Sequence, residues 1–114
     1  MRAVIVFNHP YDYSFCNAIL TSVTAGLQKA NLQTDLIHLD KEGFNPIMIA
    51  QDLKAFASSN KVYLKVIEYK ERLAKAYYLI FIFPIWLELM PAMTNGFIDK
   101  VIFPEVAYDY LMGL

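Results

Sequence analysis

Two stretches of this chain group side chains and turns suited to binding a ligand. The first is Asn8-His9-Pro10, followed shortly by Ser14. An imidazole can donate a hydrogen bond or carry a proton. A serine that caps a helix leaves the first amides of that helix available to an anion. The second stretch is Phe81-Ile82-Phe83-Pro84-Ile85-Trp86, continued by Met90-Pro91-Ala92 and Gly96-Phe97-Ile98-Asp99-Lys100-Val101. There an apolar run meets a proline, so a buried strand ends in a tight turn, and a second proline opens a helix. In an open parallel sheet, ligands bind in the space beyond such a strand end. Backbone amides and one large aromatic, Trp86, would rim that space.

The segment from Asn8 to Ser14 contains no glycine. That excludes the dinucleotide fingerprint and the phosphate loop, both of which need glycines for close backbone approach. Anion binding at the helix start, with His9 as a further donor, stays open, as does a plain loop histidine.

The elements that must position these residues follow from periodicity. Ala3–Phe7 is a short β-branched run that reads as a buried strand. Ser14 caps the next helix, whose apolar face is expected at Phe15, Ile19, Val23, Gly26, Leu27 and Ala30, with Asn31 at its C-terminal end. Thr34–Leu39 alternates more and reads as a strand nearer the sheet edge. The stretch Lys41–Ile47, with Gly43 and Asn45-Pro46, is loop. A short helix is expected over Ile49–Phe56, broken at Ser58-Ser59-Asn60. Lys61–Ala76 reads as an amphipathic helix with Val62, Val66, Tyr69 and Leu73 on one face and a Glu68–Arg72 surface pair. Tyr77–Phe83 is the third strand, and Pro91–Phe103 the third helix, closed by Pro104. Strands alternating with helices imply parallel pairing and right-handed crossovers, hence a doubly wound α/β fold.

Composition bounds the rest. A chain of 114 residues forms one domain, and 57% hydrophobic with 18% charged residues excludes disorder. A net charge of −1 gives no electrostatic footprint for nucleic acid. Cys16 is the sole cysteine, which excludes an internal disulfide or a cysteine-based zinc site and fits a reducing compartment. The run Ala3–Phe7 is far shorter than the apolar region of an export signal, and Ala76–Leu87 is too short to span a bilayer. A soluble, cytoplasmic protein with no nucleic-acid or membrane partner is expected.

Tyr77–Phe83 lacks polar alternation, so both its faces should be buried and a neighbour is needed on each side. With three strands it must lie between the other two or be paired from outside this chain, because an open apolar edge associates. The expectation is that the sheet continues past Leu114, or that a second copy or a partner chain pairs with strand 77–83.

His9-Pro10-Tyr11, Ser14-Phe15, Asn17-Ala18-Ile19, Gly43-Phe44-Asn45-Pro46, Tyr69-Lys70-Glu71-Arg72-Leu73, Phe83-Pro84-Ile85-Trp86, Met90-Pro91-Ala92 and Gly96 to Val101 together resemble the flavodoxin-like NAD(P)H:quinone oxidoreductase family. Ala107-Tyr108 adds to the likeness, which runs over essentially the whole chain. The resemblance implies a flavodoxin-like, doubly wound parallel sheet over residues 1–114, incomplete, with strand order 2-1-3 and the family's C-terminal strands absent. It implies a flavin, FAD or alternatively FMN. His9, Ser14, Phe15 and Asn17 or its neighbour Cys16 would hold the phosphate and ribityl portion. Pro84, Ile85, Trp86 and Leu87 would line the isoalloxazine ring. NAD(P)H would be the co-substrate and a quinone or similar small electrophile the acceptor, in two-electron hydride transfer. No catalytic side chain is expected within the chain, because the family's Tyr/His pair falls beyond Leu114.

This chain departs from the family pattern at Cys16, where asparagine is usual, and at Leu87 and Glu88, where aromatics are common. A carboxylate at Glu88 is compatible with a reduced flavin only if it faces solvent. Two rival readings stand beside the enzyme. One is a non-catalytic remnant or split-protein subunit acting through a partner. The other is an FMN-binding flavodoxin-like electron carrier, against which stand Met90-Pro91-Ala92 and the lack of strongly acidic charge. Plain structural readings also apply: Trp86 as a core plug, Cys16 as a packed thiol, His38 as structural, and Tyr63, Tyr69, Tyr77 and Tyr78 as core and interface residues.

Overall fold

The computed structural model describes residues 1–53 and 64–107. Strand β1 (Arg2–Phe7) lies between β2 (Gln33–His38) and β3 (Tyr78–Ile82), and both pairings are parallel. The order β2-β1-β3 is the expected one. Ile5 stands opposite Leu36 on one side and Ile80 on the other. With neighbours on both edges and helices on both faces, Ala3, Val4, Ile5, Val6 and Phe7 are fully buried, which is what their continuous apolar run encodes.

Successive side chains of β1 point to opposite faces, and the core divides accordingly. On one face Ile5 and Phe7, with Ile82, pack beneath α1 (Phe15–Lys29). On the other, Val4, Val6, Ile37 and Leu39 meet Phe44, Tyr69 and Leu73 of α2 (Leu64–Ala74). Phe97 of α3 (Ala92–Phe97) and Val101 and Ile102 of the π-helical turns that follow complete that layer.

The helix α1 begins and ends as its sequence predicts. Ser14 caps it, and Asn31 adopts φ 61° just past its end. The N–H groups of Asn31 and Leu32 return to the carbonyls of Gln28 and Leu27, the paired bonds of a Schellman motif. Its inward face keeps Val23 and Leu27 of the predicted one but not the rest. Cys16, Leu20, Val23 and Leu27 pack on the sheet, while Phe15 is 79% exposed and Ile19, Gly26 and Ala30 also face outward. The stripe 16-20-23-27 keeps the helical period as well as the predicted one does.

Of the two predicted helices in the middle of the chain, residues 54–63 lie outside the described set, and with them Ser58-Ser59-Asn60, Val62 and Tyr63. Within α2, Val66, Tyr69 and Leu73 pack inward as expected. Arg72 pairs with Glu68 at 3.8 Å, yet its stronger partner is Asp35 on β2, to which Nε donates at 2.9 Å. That guanidinium holds the Asp35 carboxyl below its ordinary range, chiefly through the hydrogen bond.

Two expectations on the C-terminal side are corrected. Pro104 does not close the third helix, because the chain continues through it with π-helical geometry over Ile98–Ala107. A proline clashes with the carbonyl four residues back in an α-helix, and the wider winding starts well before Pro104. Strand β3 is also not buried on both faces among the described residues. It pairs with β1 alone, and Tyr78 and Leu79 are 49% and 41% exposed.

Candidate functional site

Strands β1 and β3 are neighbours whose following helices leave to opposite faces, α1 to one and α3 to the other. The C-terminal ends of this pair are therefore a topological switch point, where an open α/β sheet forms a crevice. The expected residues His9, Ser14, Pro84, Ile85, Trp86 and Leu87 all stand at these ends.

On the β1 side the loop folds tightly on itself. His9 Nδ1 accepts the Tyr11 N–H at 3.0 Å, which leaves Nε2 as the N–H donor of the neutral ring. The Ser14 N–H donates to the Tyr11 carbonyl at 3.2 Å, and Asn17 Nδ2 donates to the same oxygen at 3.3 Å. Ser14 Oγ accepts the Asn17 N–H at 3.2 Å. The remaining first-turn amides of α1 have no acceptor inside the helix, and the helix dipole adds positive potential there. Phe15 is exposed beside them. The Cys16 thiol turns inward against Phe7 and Ile82, and burial pushes its pKa up, as befits a packed thiol.

On the β3 side, residues 83–91 form a loop built on a two-residue turn. The N–H of Trp86 donates to the Leu89 carbonyl at 2.9 Å, and the return bond measures 3.0 Å. Leu87 and Glu88 between them have φ 50° and 64°. Positive φ at both central positions is the type I′ geometry that normally calls for asparagine and glycine. The loop presents Ile85, Leu87 and Leu89 to solvent at 67%, 96% and 69% exposure. Trp86 is half exposed, so it does not plug the core. Its ring meets His9 edge-on with centroids 6.0 Å apart, bringing the two halves of the site together. Glu88 is exposed, the condition under which its charge is tolerable.

Sequence reasoning missed the residue beneath this contact. Asn8 is buried; its Oδ1 accepts from Thr94 Oγ1 at 2.7 Å and its Nδ2 donates to Asp40 Oδ1 at 2.8 Å. An asparagine closing an apolar strand was the available signal, but its partners are remote in sequence. Elsewhere, Glu42, Phe44, Lys65, Val66, Tyr69 and Lys100 line a separate cavity of about 210 Å³ that includes none of the expected site residues. Among the described residues no cluster of side chains could hold a metal ion, and no helix is long and apolar enough to cross a membrane.

Against known proteins, a family described as having a flavodoxin-like fold matches residues 1–113. An uncharacterized NAD(P)H oxidoreductase, YcaK of Escherichia coli (strain K12), is 28% identical over 108 residues, covering 94% of this chain and 55% of its own. Among solved structures, an NAD(P)H:quinone oxidoreductase from Methanothermobacter marburgensis aligns with TM-score 0.85 at 28% identity, over 91% of this chain and 54% of that one. Smu.1420 from Streptococcus mutans UA159 aligns with TM-score 0.82 at 34% identity, over 96% and 57%. The chain thus spans about half the length of the relatives it matches.

Proposed function

The chain belongs to the family with the flavodoxin-like fold, and from that premise we propose that its strand-end crevice binds a flavin and serves an NAD(P)H-dependent oxidoreductase. One observation carries this reading: a solvent-open wall of the apolar Ile85, Trp86, Leu87 and Leu89 stands beside His9 and the capped start of α1. Exposed apolar area of this kind marks a surface that a ligand covers, and the opposite side suits an anion. An aromatic ring system joined to a phosphate matches both halves.

Residue roles follow from the chemistry of the donors. The Ser14 hydroxyl and the first amides of α1 hold the phosphate, with the N–H of His9 Nε2 as a further donor. Pro84, Ile85, Trp86 and Leu87 cover the ring and keep water from it. The Cys16 thiol packs inward while its backbone N–H is one of those first amides of α1, and Asn17 fixes the helix start by donating to the Tyr11 carbonyl. When bound, a flavin supplies two-electron hydride chemistry that no side chain offers. NAD(P)H as donor and a quinone or similar electrophile as acceptor are the substrates that the named relatives suggest. FAD and FMN both suit these residues.

A second reading is favoured by the open edge of β3. Tyr77, Tyr78 and Leu79 are exposed at a strand that pairs with β1 alone among the described residues, so association with a second copy or a partner chain is proposed alongside the cofactor. The test of the main reading is direct. Purified protein should release flavin on denaturation and oxidise NAD(P)H with a quinone faster than the same amount of free flavin. A folded sample that is colourless, and that flavin does not reconstitute, would refute it.

A further inference from the structure

Asn8 touches both feet of the loop that carries the apolar wall. Its backbone N–H donates to the carbonyl of Ile82, the last residue of β3, at 3.0 Å. Its side-chain Oδ1 accepts from the hydroxyl of Thr94, in the first turn of α3, at 2.7 Å. Every residue of the Pro84–Pro91 loop lies between those two anchors. The amide nitrogen, committed to Asp40 Oδ1 at 2.8 Å, adds the turn that follows β2 and fixes which way the carboxamide faces. The next residue along is His9, whose ring meets Trp86 from the same loop. One residue thus ties together the ends of all three strands and the start of α3, its backbone holding β3 and its carboxamide joining the turn after β2 to α3.

We infer that Asn8 is a positioning residue: it sets the span of the Pro84–Pro91 loop and the placement of Trp86 opposite His9, and so the width of the crevice. This rests on the flavin reading of the crevice but concerns a residue that does not touch the ligand. The chemistry explains the residue type. Thr94 needs an acceptor and Asp40 needs a donor, and at this length only asparagine offers both without a charge. Buried at 3% exposure, an unmatched group here would carry its full desolvation penalty. An aliphatic residue would keep the strand and release the loop.

The experiment exchanges polarity across one contact. Asn8→Asp sets two carboxylates against each other, whereas Asn8→Asp with Asp40→Asn restores a donor facing an acceptor and still leaves an acceptor for Thr94. Trp86 is the sole tryptophan, so its indole N–H resonance and its emission report loop placement without any ligand. FMN and FAD, each titrated separately, report the crevice.

Asn8→Asp should displace the indole resonance and weaken flavin binding by about tenfold or more, and the double variant should move both back toward wild type. Thr94→Val, which cuts one anchor without adding charge, should displace the same resonance, and it decides the matter if Asn8→Asp does not fold. The inference is overturned if Asn8→Asp, or Thr94→Val in its place, lowers only the unfolding midpoint and leaves Trp86 and flavin affinity unchanged. It is equally overturned if the double variant regains wild-type stability without regaining the Trp86 signal. Should the wild-type chain bind neither flavin, the cofactor reading fails, and the Trp86 resonance alone then judges Asn8.

Discussion

His38 and Asn8 show how single polar residues at strand ends decide local structure. The His38 ring packs edge-on against Phe7, with centroids 4.8 Å apart, and its Nδ1 accepts the Lys41 N–H at 3.2 Å. Its Nε2 is buried and finds no partner among the described residues. Protonation would therefore break the Lys41 bond and bury a charge. Burial first, and then the charge of Lys41, hold the imidazole below its ordinary pKa. The unfolded chain binds that proton more readily, so this contribution is complete above about pH 6.5 and is lost as pH falls through the depressed folded value. Chemical denaturation followed from about pH 7 down to about pH 5 should show a falling midpoint. His38→Asn, whose side chain can still accept from Lys41, should flatten that slope, and an identical slope in both proteins would contradict this account. The sequence reading of His38 as structural agrees with its burial. Asn8 offered only its place at the end of an apolar strand as a signal, because the meaning of a buried carboxamide lies in Asp40 and Thr94, which only the fold brings to it.

At the scale of elements, local chemistry was readable and choices made between elements were not. Ser14 and Asn31 announce both ends of α1 through capping rules that depend only on neighbours in sequence. Which side of the first turns of α1 faces inward is settled by the sheet, because Phe15 and Ile19, or Cys16 and Leu20, both join Val23 and Leu27 at helical spacing. The turn at Leu87-Glu88 is illegible for another reason: neither residue favours positive φ, so no composition signal points to it. Strain of this kind persists where surrounding structure imposes it. Here the pair of bonds between Trp86 and Leu89 and the anchors at Ile82 and Thr94 do so. Replacing Leu87 and Glu88 by asparagine and glycine should relieve it and raise stability by about 2 kcal/mol, read as a higher denaturation midpoint. An unchanged or lower midpoint would mean that the turn is not strained. At Gly96 a side chain would collide with Pro46, so close approach explains that glycine, and nothing near it in sequence names Pro46 as the reason.

At the scale of the whole molecule, the fold class was legible from the alternation of strands and helices, and the strand order from the family resemblance. The apolar character of Tyr77–Phe83 pointed instead to a strand buried on both faces, whereas β3 pairs with β1 alone among the described residues. That edge carries its own prediction. Sedimentation of the 114-residue chain should show association that grows with concentration, and Leu79→Lys should shift it toward monomer. A wild-type chain that stays monomeric at every concentration would contradict an edge that recruits a partner. The central claim concerns the crevice, and Trp86 on its wall makes the decisive measurement simple. Titrating folded protein with FMN and with FAD, while following Trp86 emission and flavin absorbance, should give saturable binding of one flavin per chain with quenching of the tryptophan. Emission that stays unchanged, with flavin remaining free in solution at every concentration, would contradict it.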